Sequence, residues 1–303
     1  MSEKLLIVGG TGFIGKNLTR KAVESGFLTT VISLNLPKED YKVINAEYLQ
    51  ADVTNLDHLK KTLLNRKFDY IVNLSGYIDH SDFMSGGMEI INAHFDGVQN
   101  LLQVINWDGL KKFIQIGSSA EYGALNSPHK EINITNPKSY YGKAKCMATN
   151  YLMKLNKKKK FPLTILRPYQ VFGPKQDSNR LIPFVIKNCL DDKTFPCSSG
   201  NQFRDFIFIE DIIEVILKCL NNKKSQGEIF NVGSGKPKRV RQVISLIRKT
   251  IRLGKPKYGT IKLRKEEQLN FFPSISKAKL KIKWKPRHSF IDSLNKTIKS
   301  YKK

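Results

Sequence analysis

Two side chains in the stretch SYYGKAK (139–145) are of types that exchange protons, Tyr141 and Lys145. In a helical pattern, residues four apart share one face, whereas Tyr140 is matched only with Ala144. A phenol with a pKa of about 10 is a poor base at neutral pH. A neighbouring ammonium favours the phenolate, as would a cationic nicotinamide ring, and each unit of depression corresponds to about 1.4 kcal/mol. Such a pair can take or give the proton of a hydroxyl or carbonyl while a hydride moves. Tyr-x3-Lys is also an ordinary helix-surface pair, so its position has to give it meaning. It follows KFIQIGSS (112–119), a β-type run whose end carries Ser118 and Ser119. In an open α/β sheet that edge is where ligands bind.

A second constellation lies near the start. LLIVGGTGFIG (5–15) runs from a β-type segment through Gly9, Gly12 and Gly15 into a helical pattern. Glycines let the backbone turn tightly and approach a pyrophosphate, which sits on the positive end of the following helix. The spacing is GxxGxxG, where the archetypal dinucleotide fingerprint is GxGxxG, and dinucleotide binding is the expectation. An acid at the end of the second strand would bind the ribose 2′-hydroxyl. Here that place falls at Ser33, followed by Leu34 and Asn35, and Lys38 is near enough to pair with a 2′-phosphate. This leaves NADP or NAD, with NADP ahead. In ADV (51–53), Asp52 is placed to accept a hydrogen bond from an adenine amino group.

The elements that must hold these groups alternate. KLLIV (4–8), TTVISL (29–34), YIVNL (70–74), KFIQI (112–116) and LTILR (163–167) are β-rich and nearly all apolar, as strands buried on both faces are. Helical patterns fall at 14–25, 55–65, 88–105 and 140–156, and KKKKFP (157–162) reads as a solvated turn. The alternation predicts an α/β fold, a Rossmann-like doubly wound parallel sheet, over residues 1–168. Beyond 168 the rhythm breaks, with helices near 181–191, 210–221 and 238–252 among Pro-, Gly-, Asn- and Ser-rich segments. Residues 169–303 thus form a smaller mixed α/β substrate-binding domain, from which about 204–222 returns to the sheet.

Composition narrows the class. The 303 residues carry 52 Lys+Arg against 26 Asp+Glu, a formal net charge of +26, and no apolar run of membrane-spanning length. Such charge fits nucleic-acid binding or a Lys-rich enzyme surface that draws anionic small molecules. The dense runs at 157–160 and 277–285 are not interleaved with aromatics as a stacking platform would be, which favours the enzyme. Four cysteines without a CxxC pair, and no leader before KLLIVGG, predict a reduced, cytoplasmic protein. The five histidines form no ligand-spaced cluster with them, so no metal is expected.

Taken in order, GGTGFIG (9–15), ADV (51–53), GSSAEYG (117–123), Tyr141-x3-Lys145, RPYQVFGP (167–174), RDFIFIEDII (204–213), FNVGSG (230–235) and SISKAKLKIKWKP (274–286) resemble the extended short-chain dehydrogenase/reductase family, in its nucleotide-sugar branch. The resemblance covers almost the whole chain. It implies a Ser-Tyr-Lys site with Tyr141 and Lys145, in which Ser119 matches the family serine and Ser118 stays open, the segment before Tyr122 being one residue short. It implies that Phe13, Ile14, Val53, Leu74, Ser75 and Gly76 line the cofactor with the residues already named, and that Lys145 holds the nicotinamide ribose. Arg204 is implied to reach a substrate diphosphate, for which a planar guanidinium is suited, with Asp205 fixing the loop. Glu121, Asn179 and Arg180 complete the implied substrate contacts, and a homodimer through the helices at 88–105 and 140–156 is expected.

Three departures stand out. VNLSG (72–76) replaces the usual His-Leu-Ala-Ala, Gln170 replaces a frequent asparagine, and His94 stands where the family often has an asparagine. His94 is open to two readings, a proton-relay member or a packed polar residue. Ser119-Ala120-Glu121 has one acid where a 4,6-dehydratase has two. The expected reaction is therefore reduction of a 4-keto(-6-deoxy) sugar nucleotide, followed by 4-epimerisation with retained NAD, then by dehydration or C4 oxidation. A non-catalytic dinucleotide- or RNA-binding relative is the alternative of another class.

Overall fold

The computed structural model describes residues 2–77, 87–263 and 267–302. The apolar runs form the strands β1 (Lys4–Val8), β2 (Leu28–Ser33), β4 (Tyr70–Asn73), β5 (Lys112–Ile116) and β6 (Leu163–Pro168). Two strands of less apolar sequence join them, β3 (Ala46–Gln50) and β11 (Glu228–Val232). The seven-stranded sheet has the order β11-β6-β5-β4-β1-β2-β3. The pairings from β3 across to β6 are all parallel. Chain order reverses between β1 and β4, and a doubly wound sheet opens its ligand crevice at such a reversal.

The flanking helices are α1 (Phe13–Glu24), α2 (Leu56–Leu63), α3 (Gly87–Ile91), α4 (Gly97–Val104) and α5 (Tyr140–Lys159). A π-helical turn, Asn92–Asp96, joins α3 to α4. Leu59 and Leu63 of α2, Val98, Leu101 and Leu102 of α4, and Ala148 and Leu152 of α5 pack with Leu6, Val8, Ile71 and Phe113 of the strands in one core. The lysine run expected as a turn instead continues α5 through Lys159, and Lys160 ends the helix in the left-handed region at φ 53°. Lysines in a last helical turn face the negative end of the dipole, which suits them there.

The chain divides into two compact units, one of residues 1–123, 134–168 and 213–230, the other of residues 124–133, 169–212 and 231–303. The first contains the sheet core and the helices above. In the second, β7 (Gln170–Phe172) and β10 (Phe206–Phe208) pair in parallel, as do β8 (Thr194–Pro196) and β13 (Lys255–Lys257). A small sheet orders β12 (Lys238–Arg239), β9 (Phe203–Arg204) and β14 (Asn270–Phe271) with β9 in the middle. The remaining helices are α6 (Leu181–Leu190), α7 (Ile209–Leu220), α8 (Val240–Ile251), α9 (Ser276–Lys281) and α10 (Phe290–Lys299), and residue 213 of α7 begins the segment that belongs to the first unit. Among the described residues no helix is long and apolar enough to cross a membrane.

Candidate active site

The glycine loop closes on itself. Gly9 adopts φ +78°, and a Cβ there would stand 3.0 Å from the Leu74 backbone, so the turns after β1 and β4 meet at the strand-order reversal. A Cβ on Gly15 would lie 2.4 Å from Gly9 O and 2.5 Å from Gly10 Cα. Helix α1 begins at Gly12, whose missing side chain caps nothing, so the first-turn N–H groups keep their directed positive charge. Open donors behind a backbone cradle fit a dinucleotide pyrophosphate. Phe13 and Ile14 open the helix half-buried. Ser33 Oγ accepts from Thr11 N at 3.2 Å, which ties the end of β2 to the loop. Lys38 is exposed beyond it. Asp52 Oδ1 accepts from both Thr54 N and Thr54 Oγ1 at 2.8 Å. Val53 packs on the helix at Gly97, where a Cβ would meet its Cγ2 at 2.8 Å. At the end of β4, Leu74 N donates to Val8 O and Ser75 N to Asn73 Oδ1, and Gly76 takes φ +96°.

The two serines after β5 have different environments. Ser118 caps the short turn Ser119–Tyr122: its Oγ accepts from Ala120 N at 3.1 Å, and its N–H donates to Glu121 Oε1 at 2.9 Å. Ser119 Oγ makes no hydrogen bond among the described residues, although the residue is only 7% exposed. Of the pair, the Ser118 hydroxyl is engaged by the turn and the Ser119 hydroxyl is not, among the described residues. Glu121, expected from the resemblance to contact substrate, is fully buried with Arg167. Its Oε2 accepts from Arg167 Nε at 3.0 Å and Nη2 at 2.7 Å, and its remaining oxygen holds Ser118 N. Arg167 lies over the Tyr122 ring at 4.8 Å. The ion pair thus builds the turn that carries Ser119, with the Glu121 carboxylate fully buried behind it.

Helix α5 carries Tyr141 and Lys145. Ser139 Oγ caps it by accepting from Gly142 N at 3.1 Å. Gly142 permits close approach, since a Cβ there would lie 2.7 Å from Ala120 O. Tyr141, 6% exposed, packs with Ile90 and Ala144, and Ile91 and Ala120 cover that cluster. One turn on, the buried Lys145 Nζ donates to Ile116 O at 2.9 Å. Burial pulls the Lys145 ammonium down to about 8, against the opposing field of the Glu121 carboxylate. His94 reaches the same place from the π-helical turn, its ring 5.1 Å from that of Tyr141 at 79°. Its HxxG spacing marked it in the sequence, but the contact spans residues too far apart for any local pattern to show.

Arg204 and its surroundings belong to the second unit. Arg204 Nη2 pairs with Glu267 Oε1 at 2.6 Å, Nη1 donates to Phe203 O at 2.8 Å, and the guanidinium lies 6.0 Å from the Phe271 ring centroid. Asp205 is buried and accepts from Ser234 N at 2.6 Å, Ser234 Oγ at 3.0 Å and Gly235 N at 2.7 Å, fixing the loop after β11. Asn179 is exposed, and Arg180 starts α6 without a side-chain cap bond.

A family model described as the NAD-dependent epimerase/dehydratase family matches residues 5–233. The chain belongs to this family. It is accordingly an enzyme of the extended short-chain dehydrogenase/reductase type, in the nucleotide-sugar branch. It is 26% identical over 303 residues to a putative UDP-glucose 4-epimerase of Methanocaldococcus jannaschii, covering 97% of each chain. It is 25% identical over 259 residues to a dTDP-D-glucose 4,6-dehydratase of Dictyostelium discoideum, covering 77% of this chain and 58% of that one. A crystal structure of a Thermotoga maritima UDP-glucose 4-epimerase with UDP-glucose superposes with a TM-score of 0.91 at 24% identity, covering 98% of each chain.

Proposed function

We propose that this enzyme moves a hydride at C4 of a sugar carried on a nucleoside diphosphate, with 4-keto reduction as the leading reaction. The observation that carries the reading is Lys145, a buried ammonium held by Ile116 O one helical turn from Tyr141. A cation kept in so dry a place stabilises a phenolate beside it more than it would in water. Tyr141 is the proposed acid–base group. Ser119 is proposed to hydrogen-bond the reacting sugar oxygen, and Lys145 to hold the nicotinamide ribose. Gly9, Gly12, Gly15, Asp52, Val53, Leu74, Ser75 and Gly76 would hold the dinucleotide, which supplies or accepts the hydride when bound. The family is NAD-dependent. For this chain NADP is proposed, because the end of β2 offers Ser33, Leu34 and Asn35 and no acid, with Lys38 beyond.

Arg204 is the proposed diphosphate ligand, a role in which phosphate oxygens would take the place that Glu267 Oε1 holds on the guanidinium. Dehydration is disfavoured because Glu121, the lone acid after Ser119, is spent on Arg167. Epimerisation is the second reading, favoured by relatives that carry that name. The test is mass spectrometry of the small molecules released when freshly purified protein is denatured. An empty site that takes up NADPH reversibly, with NADPH consumed on 4-keto nucleotide sugars, is the expected result. Stoichiometric retained NAD with interconversion of C4 epimers would replace reduction by epimerisation. Turnover unchanged in Tyr141→Phe would overturn the site.

A further inference from the structure

The geometry assigns His94 as a positioning residue of this site: a neutral imidazole latch that fastens the Ser75–Gly76–Tyr77 turn after β4 to the ring of Tyr141. The inference deepens the reading of Tyr141 as the acid–base group and rests on it for its functional meaning, though not for the latch itself. Four observations converge. The π-helical turn Asn92–Asp96 carries His94 inward, where it is 3% exposed. Its Nε2 lies 2.7 Å from Tyr77 O. A carbonyl only accepts, so Nε2 carries the proton. The ring is seated on Gly76, where a Cβ would come within 2.0 Å of Cε1 and 2.2 Å of Nδ1, so no other residue fits that position of the turn. On its other side the ring meets Tyr141 edge to face.

Among the described residues Nδ1 is buried without a hydrogen-bond partner. An imidazole serving as a relay has to take a second proton at that atom. Burial, and then the Lys145 charge, hold His94 down at about 3, while Lys145 stays at about 8. The proton therefore resides on Lys145 rather than on His94. Of the two readings left open by the sequence, the relay is the one this arrangement opposes. A neutral ring adds no second positive charge beside Lys145. Through one hydrogen bond and one ring contact it couples the turn proposed to line the cofactor to the phenol proposed to exchange the proton.

The test uses the full chain in four forms: wild type, His94→Phe, which keeps a ring and loses the N–H donor, and His94→Gln and His94→Asn, which keep a donor. Amide hydrogen exchange of residues 75–77 is read without ligand, and NADPH and NADH affinities by fluorescence titration. His94→Phe should speed exchange in that turn at least tenfold and weaken nucleotide binding five- to tenfold. At least one of the two amide variants should restore both to within about threefold. A Phe variant that exchanges and binds like wild type overturns the latch, and so does failure of both amide variants to improve on it. Nitrogen-15 spectra of the wild-type histidines test it without any variant: His94 must show protonated Nε2 and bare Nδ1 from pH 5 to pH 8, and a doubly protonated ring in that range overturns it. If wild type binds neither nucleotide, the proposed function fails while the exchange comparison still judges the latch.

Discussion

The buried pair Arg167–Glu121 offers the sharpest test of how the site is built, through Arg167→Met. Arg167 is 2% exposed and Glu121 fully buried, so neither charge is relieved by water. The substitution keeps much of the arginine's volume and removes the two bonds to Glu121 Oε2, at 3.0 and 2.7 Å. Hydrogen bonds to charged groups contribute about 1.5–3 kcal/mol each, which puts the loss at about 3–6 kcal/mol. Breaking one side of a buried pair costs about 3–5 kcal/mol by direct comparison. A loss of about 4 kcal/mol is therefore expected in urea denaturation at pH 7, a large share of a typical stability of about 5–15 kcal/mol. The double variant Arg167→Met/Glu121→Leu should recover most of it, less the cost of leaving Ser118 N without its acceptor. A single variant within about 1 kcal/mol of wild type, on the same scale of buried-pair costs, would refute the picture of a pair that carries the Ser119 turn.

Lys145→Met should abolish hydride transfer and yet not destabilise the fold at pH 7, because it removes a buried charge. A lysine whose folded pKa, about 8, lies below its ordinary 10.5 burdens the fold fully below pH 8 and is relieved as pH rises towards 10.5. Over that window wild type should gain about 3 kcal/mol relative to Lys145→Met in matched denaturation curves, and parallel curves would contradict the burial argument. In Gly15→Ala the new Cβ would press on Gly9 O and Gly10 Cα, backbone atoms that cannot swing aside. Nucleotide affinity by calorimetry should fall at least a hundredfold, and a variant within threefold of wild type would show that the cradle is not the binding element.

Much of this architecture could be read from local pattern, and the exceptions have physical causes. The five apolar runs became strands because burial on both faces leaves no room for polar residues, and that is visible in any window. AEYLQ (46–50) carries no such apolar run, because β3 lies at a sheet edge and is only partly buried along its length. The lysines at 157–159 read as a turn because their charge masked a helix whose end they suit. Gly9, Gly12 and Gly15 and the Tyr141–Lys145 spacing were legible because each is a local geometric requirement. The employment of Glu121 was not, since its partner Arg167 lies on a different element and only the folded sheet joins them. Nor did any periodicity mark Asn92–Asp96 as other than α-helix.

That last turn sets helix phase as well as chemistry. In an α-helix each residue advances the azimuth by about 100°. The wider turn between α3 and α4 absorbs one residue more than a plain α-helix would, and it thereby sets the phase between the two segments. Ile90 before it and Val98, Leu101 and Leu102 after it are all buried under that phase. Closing the segment as plain α-helix with every residue kept would rotate the whole of α4 by about 100° against α3. Its three buried side chains would then swing off the core together, and Gly97 would leave the place where it gives way to Val53. The phase of α4 is therefore held by the width of this one turn, which carries the extra residue without passing a rotation on to the helix beyond it.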